Sequence, residues 1–331
     1  MTEALVVFFV SGLAILAAGT VLTRCADRIA ELSGLGRVLV GSVFLAGATS
    51  LPELSVDLSA VRQGTPDLAA GDLLGSSLMN LLILAVIDAA GFSPRRAFGS
   101  DSRQHSLTAL HAVFLTAWVG LAAASGGGPE ILGAGALSWG LLAVYLVGLR
   151  LTWLDQDLEE VASEATRPHP RFSRALARPV IGYLAAAAVI LYVAPRLAEA
   201  AERLSALSGL GQTFVGTTAL ALATSLPELV STITAIRIGA PDLAMGNIFG
   251  SNAFNMLLFL PLDWASPGPF FAAVHPYHAL TAFAVISATT LGVAGQILKP
   301  REKRWFLAPS AQMIALLIVA LLWMLYRHRG G

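Results

Sequence analysis

Two stretches of this 331-residue sequence decide its fold, because one is a diverged copy of the other. Residues 33–82 read SGLGRVLVGSVFLAGATSLPELSVDLSAVRQGTPDLAAGDLLGSSLMNLL, and residues 208–257 read SGLGQTFVGTTALALATSLPELVSTITAIRIGAPDLAMGNIFGSNAFNML. Aligned without a gap at an offset of 175, 27 of the 50 positions are identical. Chance does not produce that identity, so the chain contains an internal duplication.

The composition indicates that both copies lie in a lipid bilayer. The chain is 56% hydrophobic and 13% charged, whereas about a quarter of a soluble domain is charged. Its apolar residues come in runs long enough to cross a bilayer. The formal net charge is zero and no basic face stands out, which argues against a nucleic-acid partner. The single cysteine, Cys25, excludes an internal disulfide and a cysteine-built zinc site.

The apolar runs predict an all-α integral membrane protein with ten transmembrane helices. The candidate spans are 4–23, 36–62, 68–90, 105–125, 131–153, 179–199, 211–237, 242–262, 276–297 and 306–326. The second and seventh spans each contain a proline, so we expect them to be kinked or broken. No basic region precedes the first run, which favours a transmembrane helix over a cleaved signal.

The spans fall into two sets of five. Residues 1–153 hold the first set and residues 179–331 the second, and the polar segment 154–178 links them. Because five is odd, the two copies enter the membrane from opposite sides. Secondary transporters use this inverted-repeat plan, with the substrate site near the membrane midplane. We therefore expect a transporter that works without a cofactor and as a monomer. An enzyme is disfavoured, since the spans contain no hydrolase constellation.

Basic residues predict the orientation. Sixteen of the 21 Lys and Arg fall in segments on one side of the ten-span plan, and the positive-inside rule makes that side cytoplasmic. We expect a cell-membrane protein with both termini outside and with the 154–178 linker in the cytoplasm.

Each copy carries the sequence ATSLPEL, at 48–54 and 223–229, and so places a glutamate inside an apolar span. A carboxylate at that depth is costly unless it is paired or functional. Glu53 and Glu228 occupy equivalent depths in symmetry-related helices, so we expect them to face one another. Two like charges repel in a low dielectric unless a cation lies between them.

Further oxygen donors surround the two glutamates. Pro52 and Pro227 lack an N–H and so free a backbone carbonyl in the preceding turn. The adjacent hydroxyls belong to Thr49, Ser50, Thr224 and Ser225. Hard cations such as Ca²⁺ and Na⁺ prefer such all-oxygen sites, whereas softer metals prefer His or Cys.

The second half of each copy adds a small-residue helix that ends in an amide. GDLLGSSLMN (71–80) and GNIFGSNAFN (246–255) carry glycines four residues apart, a spacing that allows close helix packing. The side chains expected within reach of the glutamates are Ser76, Asn80, Ser251 and Asn255. Interhelical hydrogen bonding is the alternative role for these four residues.

The paired TSLPEL and GSxxxN segments resemble the two alpha repeats of the sodium/calcium exchanger branch of the calcium/cation antiporter superfamily. The resemblance covers both 50-residue repeats and implies exchange of Ca²⁺ for Na⁺. It also implies that Glu53 and Glu228 are the central shared ligands. The remaining implied ligands are carbonyls of Ala46 and Ala221, carbonyls and hydroxyls of Thr49 and Thr224, hydroxyls of Ser50, Ser225, Ser76 and Ser251, and Asn80. The calcium/proton branch carries GNxxE where TSLPE stands here; exchange of Ca²⁺ for H⁺, or of another divalent cation, remains the alternative.

One position departs from the resemblance. Many relatives have an aspartate where this sequence has Asn255, so only two carboxylates are expected at the centre of the site.

Other polar residues favour structural roles. Asp67 and Asp242 each follow a proline, which is typical of a helix start. His275 and His278 are expected to lie in a loop without acidic partners. Asp57, one turn beyond Glu53, is the alternative candidate for an outer vestibule, although Thr232 replaces it in the second copy. Asp72, which stands where the second copy has Asn247, is a similar candidate.

Overall fold

The computed structural model describes residues 2–89, 102–162, 174–208, 223–298 and 314–320, and nearly all of them are helical. The first repeat contains α1 (Thr2–Ser33), α2 (Arg37–Leu39), a π-helical segment (Val40–Leu45), α3 (Ala46–Thr49), α4 (Leu51–Arg62), α5 (Pro66–Ala89), α6 (Ser102–Ser125), β1 (Glu130–Ile131), β2 (Ala134–Gly135) and α7 (Ala136–Ala162). The second contains α8 (Arg174–Ser208), α9 (Leu226–Arg237), α10 (Pro241–Ala265), α11 (Phe270–Ala273) and α12 (His278–Leu298), and residues 314–320 are also helical.

The helices confirm the all-α membrane class. Within the described ranges, six helices are long and apolar enough to cross a bilayer, and one bent pair forms a seventh such span. A shorter apolar helix covers 278–294. The described parts of the predicted seventh and tenth spans are residues 223–237, which include α9, and the helical residues 314–320. The rest of those two spans lies outside the described residues.

The break in the second span is confirmed. Helices Arg37–Thr49 and Leu51–Arg62 meet at a bend of 41°. Ser50 stands at the bend with φ −91° and ψ 1°, and Pro52 is the second residue of α4. In the second repeat Ser225 has nearly the same dihedrals, −82° and 3°, immediately before α9 begins at Leu226. The same local sequence therefore breaks both helices in the same way.

The fifth span begins later than its hydropathy predicted. The structure places a two-stranded antiparallel hairpin over 130–135, and α7 starts only at Ala136. The turn contains Leu132 at φ 50° and Gly133 at φ 81°, which are left-handed conformations that a helix cannot contain. The prediction that the span starts at residue 131 was therefore wrong. At its other end α7 continues to Ala162, and α8 begins at Arg174, so both helices extend into the segment predicted as a linker.

Equivalent helices of the two repeats pack against each other. In the described residues, α1 packs extensively against α8, which is the first span of the second repeat as α1 is of the first, and α6 packs on α12, the fourth span of each repeat. The outer faces of α1 and α8 expose large apolar side chains, among them Phe9, Leu13, Ile181 and Leu184. Such faces suit contact with lipid. α10 lies at the centre and is buried along most of its length.

Glycines let α10 approach the first repeat closely. A Cβ atom built on Gly250 would lie 2.3 Å from the backbone Cα of Ser42, and one built on Gly246 would meet backbone at 2.7 Å. The close-packing prediction is thus confirmed for the second copy. Of the equivalent glycines in the first copy, Gly71 has only an ordinary side-chain contact at 3.6 Å, and Gly75 has no neighbour within 4 Å among the described residues.

A buried carboxylate joins the hairpin to α10. Asp263, near the end of α10, accepts hydrogen bonds from the Gly135 N–H at 2.8 Å, the Ser138 hydroxyl at 2.5 Å and the Phe270 N–H at 2.9 Å. These three donors belong to β2, α7 and α11. The carboxylate therefore fixes one end of the central helix to its surroundings and leaves the middle of α10 to face the broken helices.

Candidate cation-binding site

The two helix breaks place Glu53 and Glu228 in the core of the molecule. Each glutamate lies in the first turn of its helix, α4 or α9, and each is only 1% exposed. The two carboxylates are close enough to interact electrostatically. Both also sit at helix N-termini, where the helix dipole favours negative charge. The structure thus brings the predicted pair together.

Among the described residues, neither glutamate has a hydrogen-bond donor of good geometry. All four carboxylate oxygens are buried and lack such a partner within the part of the chain that the structure describes. The Thr49 hydroxyl lies near the Glu228 carboxylate, but it also lies 3.2 Å from the Ala46 carbonyl and 3.4 Å from Asn247 Oδ1. The salt bridges of the described residues include neither glutamate. Two buried carboxylates therefore face each other, and the described residues place no cationic side chain between them.

The predicted hydroxyl donors all reach the core. Those with at most 2% exposure are Thr49, Ser50, Ser76, Thr224, Ser225 and Ser251. The hydroxyls of Ser50, Ser76 and Ser225 have no hydrogen-bond partner among the residues described. Thr49 lies 3.4 Å from the Ser251 hydroxyl, across the interface between the two repeats. The hydroxyls of both repeats therefore share one buried region with the glutamates.

The two asparagines differ in how they are held. Both amide atoms of Asn255 are buried and unpartnered among the described residues. The Asn80 amide nitrogen donates to Asn252 Oδ1 at 3.0 Å, and Asn252 donates in turn to the Ser77 carbonyl at 3.2 Å. The Asn80 nitrogen is thus engaged, while its carbonyl oxygen has no partner in the described ranges and is free to face a cation. Asn252 was not predicted from the sequence, although its position is equivalent to Ser77 in the first copy.

The backbone ligands implied by resemblance stay predictions. The Ala46 carbonyl is buried and accepts bonds from the Ser50 N–H at 3.0 Å and the Thr49 hydroxyl at 3.2 Å. Ala221 lies outside the described residues.

The donor chemistry is that of a hard-cation site. In the described residues no group of three or more His, Cys, Asp or Glu is arranged to hold a metal ion. The assembled atoms are instead two carboxylates, several hydroxyls and amide oxygens. Ca²⁺ and Na⁺ accept such mixed oxygen ligands, and a soft metal would lack the nitrogen or sulfur that it prefers.

The acids at the helix starts have partners that the sequence did not reveal. Asp67 and Asp242 lie in the first turns of α5 and α10, as predicted. Each also pairs with a histidine from the other repeat: His278 Nε2 lies 3.1 Å from Asp67, and His105 Nε2 lies 3.0 Å from Asp242. Asp67 additionally accepts the His275 N–H at 2.7 Å. The expectation that His275 and His278 lack an acidic partner was wrong, because the contact spans 211 residues of sequence and depends on the packing of the repeats.

Two inverted helical repeats that enclose a pair of buried carboxylates at their interface define a secondary cation antiporter. The sequence model of the family described as sodium/calcium exchanger protein matches residues 3–153 and 179–326. These ranges include nearly all of both repeats. The chain belongs to the sodium/calcium exchanger family.

Similar proteins cover most of the chain. The putative antiporter CaxA of Alkalimonas amylolytica is 32% identical over 71% of this chain and 72% of its own length. The inner membrane protein YrbG of Escherichia coli (strain K12) is 30% identical over 73% of each chain. The solved structure of the sodium-calcium exchanger NCX_Mj superposes with a TM-score of 0.72 at 20% identity, over 97% of this chain and 99% of that one. That superposition shows the shared fold.

Proposed function

We propose that this protein exchanges Ca²⁺ for Na⁺ across a cell membrane by alternating access to the site between its repeats. The observation that carries this proposal is the pair Glu53 and Glu228, buried at equivalent breaks with no cationic partner among the residues that the structure describes. Family membership supports it. The sodium/calcium exchanger MaX1 of Methanosarcina acetivorans, which is 37% identical over 93 residues, supports the choice of ions.

Charge balance explains why the two ions would exclude each other. With both glutamates ionised, the centre carries two negative charges, which one Ca²⁺ or two Na⁺ would neutralise. Both ions use the same carboxylate and hydroxyl oxygens. A site filled by one ion type therefore has neither the charge nor the free ligands for the other, which is the condition for exchange.

Proton coupling is the competing function, since a buried glutamate can carry H⁺ in place of Na⁺. Isotopic Ca²⁺ uptake into proteoliposomes separates the two functions when Na⁺, H⁺ and K⁺ gradients are imposed one at a time. We expect an outward Na⁺ gradient at equal pH to drive uptake, and a pH gradient without Na⁺ to drive little. Uptake that follows only the pH gradient would replace Na⁺ with H⁺ in the proposal.

We propose that both termini face outside and that the 154–178 linker is cytoplasmic, on the distribution of basic residues. In a Cys25→Ala background, Ala165→Cys should resist an impermeant thiol reagent on intact cells and react after permeabilisation. Gly268→Cys is the matched control, because Gly268 is exposed in the loop after α10 and lies outside in the same topology. It should label on intact cells. The reverse labelling pattern would invert the orientation.

Asn255 is expected to make exchange independent of K⁺. An aspartate here would add a third carboxylate near the glutamates, and like-charge repulsion would favour uptake of a proton or of an extra monovalent cation. We expect Asn255→Asp to change the ion selectivity or pH dependence of Ca²⁺ flux without increasing it. Flux across a pH series, with and without K⁺, provides the measurement in both proteins. A strict K⁺ requirement in the wild type would contradict this role of Asn255.

A further inference from the structure

The repeats differ at one pair of positions beside the site. In the second repeat, Thr232 of α9 and Asn247 of α10 are fully buried, and the Asn247 amide donates a hydrogen bond to the Thr232 hydroxyl at 3.3 Å. The equivalent residues of the first repeat, at the same offset of 175, are Asp57 of α4 and Asp72 of α5. The neutral, hydrogen-bonded pair of the second repeat is thus replaced by two carboxylates in the first repeat.

Within the described part of the chain, three of the four oxygens of the two aspartates lack the partners that a structural pair would need. Asp57 is 1% exposed and Asp72 is 7% exposed. Both oxygens of Asp57 and Oδ2 of Asp72 have no hydrogen-bond partner among the residues that the structure describes. The ion pairs of those residues include neither aspartate. Burying a carboxylate without a partner costs several kcal/mol, so a bound positive charge is the stabilising element that this pair requires.

The pair also lies next to the central site. Asp57 and Asp72 interact electrostatically with each other, and both interact with Glu53. An α-helix rises 1.5 Å per residue, so Asp57 lies about 6 Å beyond Glu53 along α4. The displacement is toward the turn of residues 63–65, which joins α4 to α5. In the proposed orientation that turn faces outside.

We propose that Asp57 and Asp72 form a second divalent-cation site, which holds Ca²⁺ beside the central site on the side of the 63–65 turn. Two carboxylates balance one divalent charge and supply up to four oxygens of the six to eight that Ca²⁺ takes, with water able to supply the rest. The inference rests on the proposed function, because its ion reaches the pair through the transport pathway. The second site loads Ca²⁺ next to Glu53 before the ion enters the central site.

The second repeat provides the matched variant. Asp57→Thr combined with Asp72→Asn installs the residues that already form a buried, bonded pair at the equivalent positions. Equilibrium binding of isotopic Ca²⁺ to the purified full chain in detergent, without Na⁺, measures the number of sites. We expect the double variant to bind half as much Ca²⁺ at saturation as the wild type. Asp57→Asn, which preserves side-chain size, is measured in parallel and should give the same halving.

The controls separate this site from the central one. Glu228→Gln should also reduce the amount of bound Ca²⁺, because it removes the central site and leaves the second site in place. If Glu228→Gln leaves the amount of bound Ca²⁺ unchanged while the aspartate variants halve it, Glu228 is not a ligand of the central site. The second site at Asp57 and Asp72 is then still supported. If the aspartate variants bind as much Ca²⁺ as the wild type, the second site is overturned, and a proton or a Na⁺ then neutralises the pair. Melting temperatures without Ca²⁺ show that each variant is folded.

Discussion

Glu53→Gln and Glu228→Gln are each expected to abolish Na⁺-driven Ca²⁺ uptake, while the protein still folds and inserts. Each substitution keeps the shape of the side chain and removes one of the two buried negative charges at the centre of the site. Removing one partner from a buried pair of opposite charges, here a carboxylate and Ca²⁺, typically costs 3–5 kcal/mol. At 1.4 kcal/mol per factor of ten, that corresponds to Ca²⁺ binding weaker by about 100-fold or more.

Thermal melting gives a readout of the glutamate variants that does not depend on transport. A ligand that binds only the folded state raises its stability, so Ca²⁺ should raise the melting temperature of the wild type. We expect that rise to disappear in both glutamate variants. In the absence of Ca²⁺ the variants should melt at or above the wild-type temperature, because one of two repelling charges is gone.

Glu130→Gln is the matched control for the glutamates. Glu130 lies exposed in β1, away from the helix breaks, so the same chemical change should alter neither uptake nor the Ca²⁺-dependent rise in melting temperature. Near-normal Ca²⁺ uptake by either core variant would remove that glutamate from the site. Equal loss in all three variants would point to a general defect and not to cation binding.

The sequence predicted the parts of the site that local physics determines. A proline two residues after Ser50, repeated after Ser225, predicts a broken helix in each repeat, and both breaks are present. A glutamate immediately after each proline must then lie at the break. The duplication itself predicts that the two breaks meet, because symmetry-related elements pack around a common axis.

The contacts between the repeats were beyond prediction from the sequence. The bond from Asn80 to Asn252 joins residues 172 positions apart that are not equivalent, so the repeat pattern does not indicate it. The pairing of His105 with Asp242 likewise depends on which helices become neighbours. The hairpin over 130–135 was missed for a different reason: hydropathy does not register the left-handed turn that precedes α7.

The close crossing of α10 with the first repeat has a consequence for stability. Gly250 packs on Ser42 of the π-helical segment, and a Cβ atom at position 250 would lie 2.3 Å from Ser42 Cα and 2.5 Å from its carbonyl oxygen. Both of these neighbours are backbone atoms, so no side-chain rotation can relieve the overlap. The helices must separate instead, and Ser42 lies on the same broken span that leads to Thr49 and Glu53.

Gly250→Ala is therefore expected to lower the melting temperature by about 5 °C or more and to reduce Ca²⁺ uptake by about tenfold or more, since overpacking a core typically costs 1–3 kcal/mol. Gly292→Ala is the matched control, because the one described atom near its new Cβ is in the Ile314 side chain, at an ordinary 3.8 Å. That variant should stay close to wild type in both measurements. Thermal melting in detergent and uptake into proteoliposomes test the pair together. If the two alanine variants melt at the same temperature, the helices at Gly250 have room for a Cβ atom, and the expected overlap with Ser42 is wrong.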